Sequence, residues 1–228
     1  MNVYNSLSDL PNFKNAVLTI GSFDGVHAGH QKILERINKL AKKNEGRSIV
    51  ITFHPHPRQI IYPNDKSFRL LNSFDEKVAL FEKYGIDNVV VVPFTVEFSQ
   101  QSADEYIQKF LLEKFNPKYI VIGYDHKFGL NRQGDINYLK SYSRKKEFEV
   151  IEISRHDIQN IGISSTKIRN FLSEGDVSQA NKLLNHNYSI NGTVVHGQGI
   201  GKDLGYPTAN IRVKNLFKLV PLGGIYAV

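Results

Sequence analysis

Residues 16–30 read Ala-Val-Leu-Thr-Ile-Gly-Ser-Phe-Asp-Gly-Val-His-Ala-Gly-His. The apolar run 16–20 is typical of a buried strand, and the apolar residues Ile33, Leu34 and Ile37 downstream repeat at helical spacing. A glycine-bearing turn with two histidines therefore lies between the end of a strand and the start of a helix. Backbone N–H groups and the helix dipole attract phosphate at such a place, so the stretch points to nucleotide chemistry.

The bulk composition places the chain among soluble globular proteins. It has 228 residues, of which 41% are hydrophobic and 22% charged, and it contains no cysteine. No apolar run approaches the roughly 20 residues that span a bilayer, and the first residues do not resemble a secretory signal. The lack of cysteine excludes disulfides, zinc–thiolate sites and cysteine nucleophiles, and we expect a cytoplasmic protein.

The formal net charge is +7, and a basic protein can bind nucleic acid or small anionic substrates. The lysines are scattered along the chain, and the densest basic run is the short segment 144–146. Most of these charges are expected to form a solvated surface. We therefore predict small-molecule substrates and neither a nucleic-acid nor a membrane partner, while the oligomeric state is left open.

The first part of the chain alternates strand and helix signals. Four further apolar runs have the length and composition of strands: 48–53, 88–93, 119–122 and 148–153. Capping boxes at Ser73 and Ser102, each with a glutamate three residues later, open two of the intervening helices. Short apolar strands separated by helices predict an α/β fold with a parallel sheet covered on both faces.

Polar turns follow these strands. In open parallel sheets, functional residues gather at the carboxyl ends of the strands. Four segments are expected at that edge: 21–30, 54–57, 123–125 and the loop leading into 164–166. This is more polar chain than a scaffold needs, so we predict that the site lies there.

The pattern changes near residues 185–187. The segment 188–196 alternates and is β-branched, glycines follow densely, and no further helix is predicted. We therefore place one domain at 1–186 and the start of a second, β-rich domain at 187–228. The remaining residues are too few for an independent core, and the chain ends within an apparent strand, so this part is expected to be mobile or aggregation-prone.

Residues 27–30 resemble the HxGH signature of the nucleotidyltransferase superfamily, and with the preceding string 21–25 they are similar to the bacterial FAD synthetase branch. The resemblance implies a Rossmann-like parallel sheet and adenylyl transfer, with His27 and His30 donating to the α-phosphate. Asp24 either acts through Mg²⁺ or orders the histidine loop. Further ATP contacts are implied for Gly21, Phe23 and Gly29.

Residues 163–169, Ile-Ser-Ser-Thr-Lys-Ile-Arg, resemble the second signature of that superfamily, ISSTxxR. A serine there can cap the following helix. The resemblance implies that Ser164, Ser165, Thr166 and Arg169 hold the β- and γ-phosphates of ATP. Arginine binds phosphate in a bidentate way, and its charge favours the departure of pyrophosphate.

The turn 55–58 resembles the PHP turn of the family, which implies an FMN site at Pro55, His56 and Pro57. Members of the family usually carry an acidic residue where this chain has His54, and this difference leaves the role of position 54 open. A metal site is the alternative for four histidines: His27, His30, His54 and His56. No Asp, Glu or Cys completes such a ligand set at matching spacing.

Residues 123–134 resemble the GxDxxFG…R.G stretch of the family. The resemblance implies that Gly123 lets the backbone approach the nucleotide and that Asp125 bonds the ribose hydroxyls. It also implies that Phe128 packs near the flavin.

The segment 205–211 resembles the PTAN signature of riboflavin kinases, which implies that Thr208 and Asn210 bind Mg²⁺ with the ATP phosphates in a complete kinase domain. The preceding glycines, Gly199 and Gly201 among them, would cradle those phosphates. The same glycines match the dinucleotide-binding motif of Rossmann folds only weakly, because that motif opens a helix and no helix is predicted to follow them.

Together these resemblances imply an FMN adenylyltransferase that converts ATP and FMN into FAD and pyrophosphate. They also imply that a longer parent chain phosphorylates riboflavin, while the kinase part here is expected to be incomplete. One alternative is another small-molecule adenylyltransferase, acting on pantetheine phosphate or nicotinamide mononucleotide. The other alternative is an inactive flavin- or nucleotide-binding module.

Overall fold

A computed structural model describes residues 1–144, 148–154, 162–203 and 205–227. Its main feature is a six-stranded parallel sheet with the order β1-β4-β3-β2-β5-β6. The strands are β1 (Asn2–Tyr4), β2 (Val17–Ile20), β3 (Ser48–His54), β4 (Asn88–Pro93), β5 (Tyr119–Gly123) and β6 (Glu149–Ile153). The α/β class and the parallel sheet predicted from the sequence are confirmed.

Most helices of this part connect successive strands, and the last two follow β6. They are α1 (Ala28–Lys43), α2 (Pro57–Ile61), α3 (Phe74–Lys83), α4 (Val96–Ser99), α5 (Ala103–Glu105), a π-helical stretch (Tyr106–Leu112), α6 (Glu113–Phe115), a 3₁₀ turn (Leu130–Arg132), α7 (Ile136–Ser143), α8 (Ser165–Ser173) and α9 (Val177–Leu184). Both predicted capping boxes are present, at Ser73 of α3 and at Ser102 of α5. None of the described helices is long and apolar enough to cross a membrane.

Alternate residues of strands β2 to β6 pack into two cores, one on each face of the sheet. In β2, Leu18 packs among aromatic side chains that include Tyr106 and Phe110, while Val17 packs with Leu34 of α1 on the other face. Both strand residues are fully buried. This double burial explains why the strands read as continuous apolar runs rather than as alternating ones.

Strand β1 was not predicted. It is only three residues long, its sequence Asn-Val-Tyr is not distinctly apolar, and it pairs with β4 at the edge of the sheet. Its existence depends on that pairing across 86 positions, which a local pattern does not contain.

The chain after residue 187 forms a hairpin and then returns to the first part. Strands β7 (Gly192–Val195) and β8 (Asn210–Val213) pair antiparallel, and a single helical turn, α10 (Ile200–Asp203), lies between them. The prediction that no helix follows residue 187 is therefore wrong by this one turn. Residue Leu219 is buried in a third cluster with Leu71 and Leu172 of the first part.

Candidate active site

The four polar segments predicted at the carboxyl edge of the sheet meet around one cavity of about 1200 Å³. Its predicted lining residues are Gly21, Phe23, His27, Gly29, His30, His56, Pro57, Gly123, Asp125, Phe128, Ser164 and Ser165. Among the predicted site residues, Asp24, Pro55, Thr166 and Arg169 do not contribute to this lining. The structure therefore places most of the predicted first-domain site at one cavity and a smaller group behind or beside it.

The two histidines of the turn lie against each other at the start of α1. Their rings are stacked, with centroids 3.6 Å apart, and His27 Nδ1 accepts a hydrogen bond from the backbone N–H of His30 at 3.3 Å. Burial lowers the pKa of His27 to about 4 and holds the pKa of His30 well below its usual range. A neutral His27 that accepts at Nδ1 carries its proton on Nε2, so it can donate a hydrogen bond from that atom.

The turn before the histidines has an unusual backbone. Phe23 and Val26 adopt positive φ values of 48° and 39°, and Gly25 has φ of 89°. A Cβ atom on Gly25 would lie 2.7 Å from Cδ1 of Leu71. Only glycine combines this backbone conformation with such close packing, so position 25 fixes the shape of the turn.

Asp24 is buried and forms an ion pair with Arg169, whose side chain is 17% exposed. One carboxylate oxygen of Asp24 accepts from the backbone N–H groups of Leu71 and Asn72 at 2.9 and 3.2 Å, and the other accepts from Arg169 Nη2. Burial raises the pKa of Asp24, and the nearby charge of Arg169 opposes that rise. Of the two roles considered for Asp24, these contacts favour ordering the histidine loop.

The start of α8 brings hydroxyl groups to the same edge. Ser164 caps the helix by accepting from the N–H of Lys167 at 3.2 Å, and Ser165 Oγ donates to the carbonyl oxygen of Asp24 at 2.9 Å. The Arg169 side chain points back into the protein, where Nε donates to the carbonyl oxygen of Arg69 at 2.7 Å. The second signature is therefore tied directly to the first.

The PHP turn borders the cavity through two of its three residues. The His54–Pro55 peptide bond is cis, and His56 caps α2 by accepting at Nδ1 from the N–H of Arg58 at 3.1 Å. The His56 ring lies 4.9 Å from that of Phe68, and burial lowers its pKa to about 3. His56 and Pro57 thus present a largely uncharged surface to the cavity.

The opposite wall comes from the loop after β5. Asp125 lines the cavity and is exposed, and Phe128 is buried with its ring stacked on Tyr106 at 5.0 Å. His126 also lines the cavity, and burial lowers its pKa to about 4. The sequence interpretation did not include His126 as a site residue.

Two further features of the site were missed. Lys77 of α3 is buried and donates to the carbonyl oxygen of Ser22 at 3.1 Å and to Thr52 Oγ1 at 3.0 Å, so it holds the histidine turn from below. Burial lowers its pKa to about 8. The sequence does contain a sign of this role: Lys77 lies on the apolar stripe of the helix, three residues after Phe74 and four before Phe81.

An aromatic wall, which we define as Phe53, Phe94, Phe98, Tyr106 and Phe128, also lines the cavity. Successive rings contact one another with centroids 5.0–6.1 Å apart. These residues come from β3, the segment after β4, the π-helical stretch and the loop after β5. Only the fold brings them together, so a local motif would not have identified the wall.

The predicted kinase residues lie outside this cavity, in the hairpin. The glycine segment packs on the side chains of the PTAN motif: a Cβ atom on Gly201 would lie 3.0 Å from Thr208 Oγ1, and Gly197 lies directly against Asn210. Gly199 has φ of 79° and open space around it. Within the described ranges, no group of three or more His, Cys, Asp or Glu side chains could hold a metal, so the four-histidine alternative gains no support.

The fold and this cavity define the class. A six-stranded parallel sheet with a glycine- and histidine-bearing turn at its carboxyl edge is consistent with a Rossmann-like nucleotidyltransferase fold. Family comparisons specify it further: residues 9–167 match the FAD synthetase family, and residues 184–228 match the riboflavin kinase family.

Individual relatives agree with that assignment. A bifunctional riboflavin kinase/FMN adenylyltransferase of Buchnera aphidicola subsp. Schizaphis graminum is 42% identical over 94% of this chain and 68% of its own length. The protein with the same description from Listeria monocytogenes is 35% identical over 94% of this chain and 67% of its own length. The chain belongs to the family of bifunctional riboflavin kinase/FMN adenylyltransferases, as the sequence resemblance predicted.

A solved structure supports the same fold. A crystal structure described as a macrolide-efflux protein from Streptococcus pneumoniae superposes with a TM-score of 0.86 at 30% identity. It covers 97% of this chain, and this chain covers 71% of it. The prediction of an FAD synthetase domain followed by part of a riboflavin kinase domain is confirmed at the level of family.

Proposed function

We propose that the cavity transfers an adenylyl group from ATP to FMN. An oxygen of the FMN phosphate attacks the α-phosphorus of ATP, the bond from that phosphorus to the oxygen bridging to the β-phosphate breaks, and pyrophosphate leaves. The phosphate nucleophile is already anionic, so the reaction needs alignment and charge stabilisation rather than a strong base. The observation that carries the proposal is the stacked histidine pair at the start of α1, which lines the same cavity as Ser164 and Ser165 at the start of α8.

His27 and His30 would stabilise the charge that builds on the α-phosphate. The backbone N–H of His30 fixes the proton of neutral His27 on Nε2, which makes that atom a donor. Both rings are held by stacking on each other, and His30 also meets the edge of Phe23 at 5.1 Å. Donors held in place before the reaction stabilise the transition state without the cost of reorganisation.

The leaving pyrophosphate would lie at the start of α8. Ser164 and Ser165 line the cavity there, and the helix N-terminus adds its dipole. The Ser164 hydroxyl would donate to a phosphate oxygen, whereas Ser165 already donates to the carbonyl oxygen of Asp24 and Thr166 lies outside the lining. Arg169 contributes its charge from behind, because its guanidinium is bonded to Asp24 and to the carbonyl oxygen of Arg69. The role given to Arg169 is therefore to hold the turn and to add positive potential.

The flavin ring would lie between His56, Pro57 and the aromatic wall. These flat apolar faces suit an isoalloxazine ring, and Phe128 is fixed against Tyr106. Pro55 would support the turn without touching the ring. On the nucleotide side, Gly123 and the exposed Asp125 stand at the end of β5, where Asp125 can accept hydrogen bonds from ribose hydroxyls.

Magnesium fits the oxygen donors of the hairpin in a complete kinase domain. Thr208 Oγ1 and Asn210 Oδ1 are hard ligands, and Gly197 and Gly201 lie so close to this motif that a Cβ atom on them would lie 2.1 Å from Asn210 Nδ2 and 2.4 Å from the carbonyl oxygen of Tyr206. When bound, the ion would neutralise ATP phosphates. In the adenylyltransferase cavity, Asp24 does not fit as a ligand, because both its oxygens are already bonded.

The test is a chromatographic assay of the purified chain with Mg²⁺ and ATP, given FMN in one sample and riboflavin in another. FAD from FMN supports the proposal, and FAD from riboflavin would show that kinase activity is present as well. Product with pantetheine phosphate or nicotinamide mononucleotide but not with FMN would favour the alternative adenylyltransferases. Binding of FMN and ATP without pyrophosphate release would favour the inactive module.

The cytoplasmic location and the restriction of partners to small molecules stay predictions.

A further inference from the structure

Residues 217–219, which follow the hairpin, pair with residues 69–71 of the first part. The N–H of Leu70 donates to the carbonyl oxygen of Phe217 at 2.7 Å, and the N–H of Leu219 donates to that of Leu70 at 2.8 Å. Leu219 is buried beside Leu71 and Leu172. The segment is thus held to the first part by backbone bonds and by apolar contact.

Lys218 anchors this pairing inside the protein. Its Nζ donates to Glu76 Oε2 at 2.7 Å and to the carbonyl oxygen of Leu71 at 2.7 Å, and it lies 4.1 Å from the ring centroid of Tyr188. The side chains of Lys218 and Glu76 are 1% and 4% exposed. A buried pair of this kind is costly to break, because each charge needs the other.

Leu71, to which Lys218 donates, is also bonded to Asp24 of the candidate site. Leu71 accepts the lysine at its carbonyl oxygen and donates its own N–H to Asp24 Oδ1 at 2.9 Å. Two residues earlier, the carbonyl oxygen of Arg69 accepts from Arg169. Lys218 and the Asp24–Arg169 pair therefore both form hydrogen bonds to one short segment, 69–72.

The Glu76 carboxylate, to which Lys218 donates, accepts further hydrogen bonds from both parts of the chain. Oε2 also accepts from the N–H of Ser73 at 2.8 Å, and Oε1 accepts from the N–H of Asn191 at 3.1 Å. A carboxylate that caps α3 is in this way bonded to two separate points of the second part, Asn191 and Lys218. The second part is joined to the first through charge as well as through packing.

We propose that Lys218 is a positioning residue for the adenylyltransferase site. By holding the Leu71 carbonyl it fixes the segment 69–72, and this segment fixes Asp24 and, through Asp24, the histidine turn. The inference rests on the proposed function and adds that a side chain from the riboflavin kinase region sets the geometry of the adenylyl-transfer step.

The test is a matched pair of variants, Glu76→Gln and Glu76→Gln/Lys218→Met. Both lack the ion pair, and only the double variant lacks the bond from Lys218 to Leu71. We expect Glu76→Gln to keep kcat/KM for ATP within about threefold of wild type and the double variant to lose about tenfold or more, since small misplacements of catalytic groups are costly. Lys214→Met, an exposed change in the same region, is the control and should have no effect.

Thermal melting separates positioning from stability. The double variant also removes the unpaired lysine charge, so we expect it to melt no lower than Glu76→Gln while its ATP kinetics are worse. Equal kcat/KM for ATP in the two variants would overturn the proposal.

Hydrogen exchange on the unaltered chain gives a second, independent test that does not depend on the reaction. The amides of Leu70, Leu71, Asn72 and Leu219 should share one protection factor, because they open together. Protection of Leu71 and Asn72 more than about 100-fold above that of Leu219 would show that the segments are uncoupled and would overturn the proposal. A wild-type chain that makes no FAD would instead refute the proposed function and leave the exchange result standing.

Discussion

The histidine turn, residues 21–30, and the hairpin region, residues 192–213, are both rich in glycine and both resemble signatures for which nucleotide binding is predicted. They differ in how the fold holds them. The turn is held by Lys77 from below, by the Asp24–Arg169 pair from behind and by His186, whose ring nitrogen lies 3.1 Å from the carbonyl oxygen of Gly25. Most described residues of the hairpin region are exposed.

The glycines of the two regions differ in how closely other residues pack against them. Gly25 combines a positive φ with contact to Leu71, whereas Gly199 has a similar φ and no neighbour within 4 Å of a Cβ atom. Glycine content by itself therefore does not make a preorganised phosphate site. The contacts that hold the turn come from distant parts of the chain, such as Leu71, Lys77 and Arg169.

The largest expected effect is the loss of FAD formation when a histidine of the turn is removed. We expect His30→Ala to lower the rate of FAD formation by about 10²–10³, the usual loss when one preorganised donor is removed. Steady-state kinetics with FMN and ATP measure it. The matched change in the other region is His196→Ala, which is exposed and should leave FAD formation unchanged. Near-normal turnover of His30→Ala would remove the role assigned to that imidazole.

The two glycines make a second test. Gly25→Ala should destabilise the chain by about 2–4 kcal/mol, because it combines left-handed backbone strain with overpacking against Leu71. Gly199→Ala carries only the backbone strain and should cost about 1 kcal/mol or less. Urea unfolding measures both free energies. Equal effects would mean that the packing around Gly25 is looser than the structure shows.

A smaller effect is expected from pH. Burial holds the pKa of His27 at about 4 and that of His56 at about 3 in the folded chain, below the value near 6.5 for an unfolded histidine. The unfolded chain therefore binds more protons below pH 6.5, and stability should be fully present above that pH and fall as the pH drops toward 4.

Unfolding in urea at pH 7 and pH 5 measures this loss, which should reach about 2 kcal/mol for each such imidazole. His56→Gln keeps a side-chain oxygen that can cap α2 and removes the titrating group, so it should reduce the loss. An unchanged pH dependence in that variant would show that His56 is protonated as readily in the folded chain as in the unfolded one.

The sequence was sufficient for features with a local signal. The alternation of strands and helices and both capping boxes were predicted, because they follow from hydrophobic spacing or from a cap within a few residues. The meeting of four polar segments at one sheet edge was predicted from the rule that such turns gather at the carboxyl ends of parallel strands. Motif resemblance added the family, which the comparisons confirmed.

What the sequence did not show depends on contacts between distant residues. Nothing near Asp24 indicates that its partner is Arg169, 145 positions away, or that Leu71 and Asn72 complete its bonds. For this reason the sequence left two roles open for Asp24, action through Mg²⁺ and ordering of the histidine loop. The aromatic wall and the return of residues 217–219 are of the same kind, since each is created by the fold and not by a neighbour in the chain.

Helix α3 carries two adjacent charged side chains that are both buried, Glu76 and Lys77, and they reach in different directions. Successive residues project about 100° apart around a helix axis, so Glu76 meets Lys218 while Lys77 meets the carbonyl of Ser22. Two such anchors prevent the helix from rolling or sliding. Insertion or deletion of one residue between the cap Ser73 and Lys77 would rotate the lysine away from the turn, so we expect this helix start to tolerate substitutions better than changes in length.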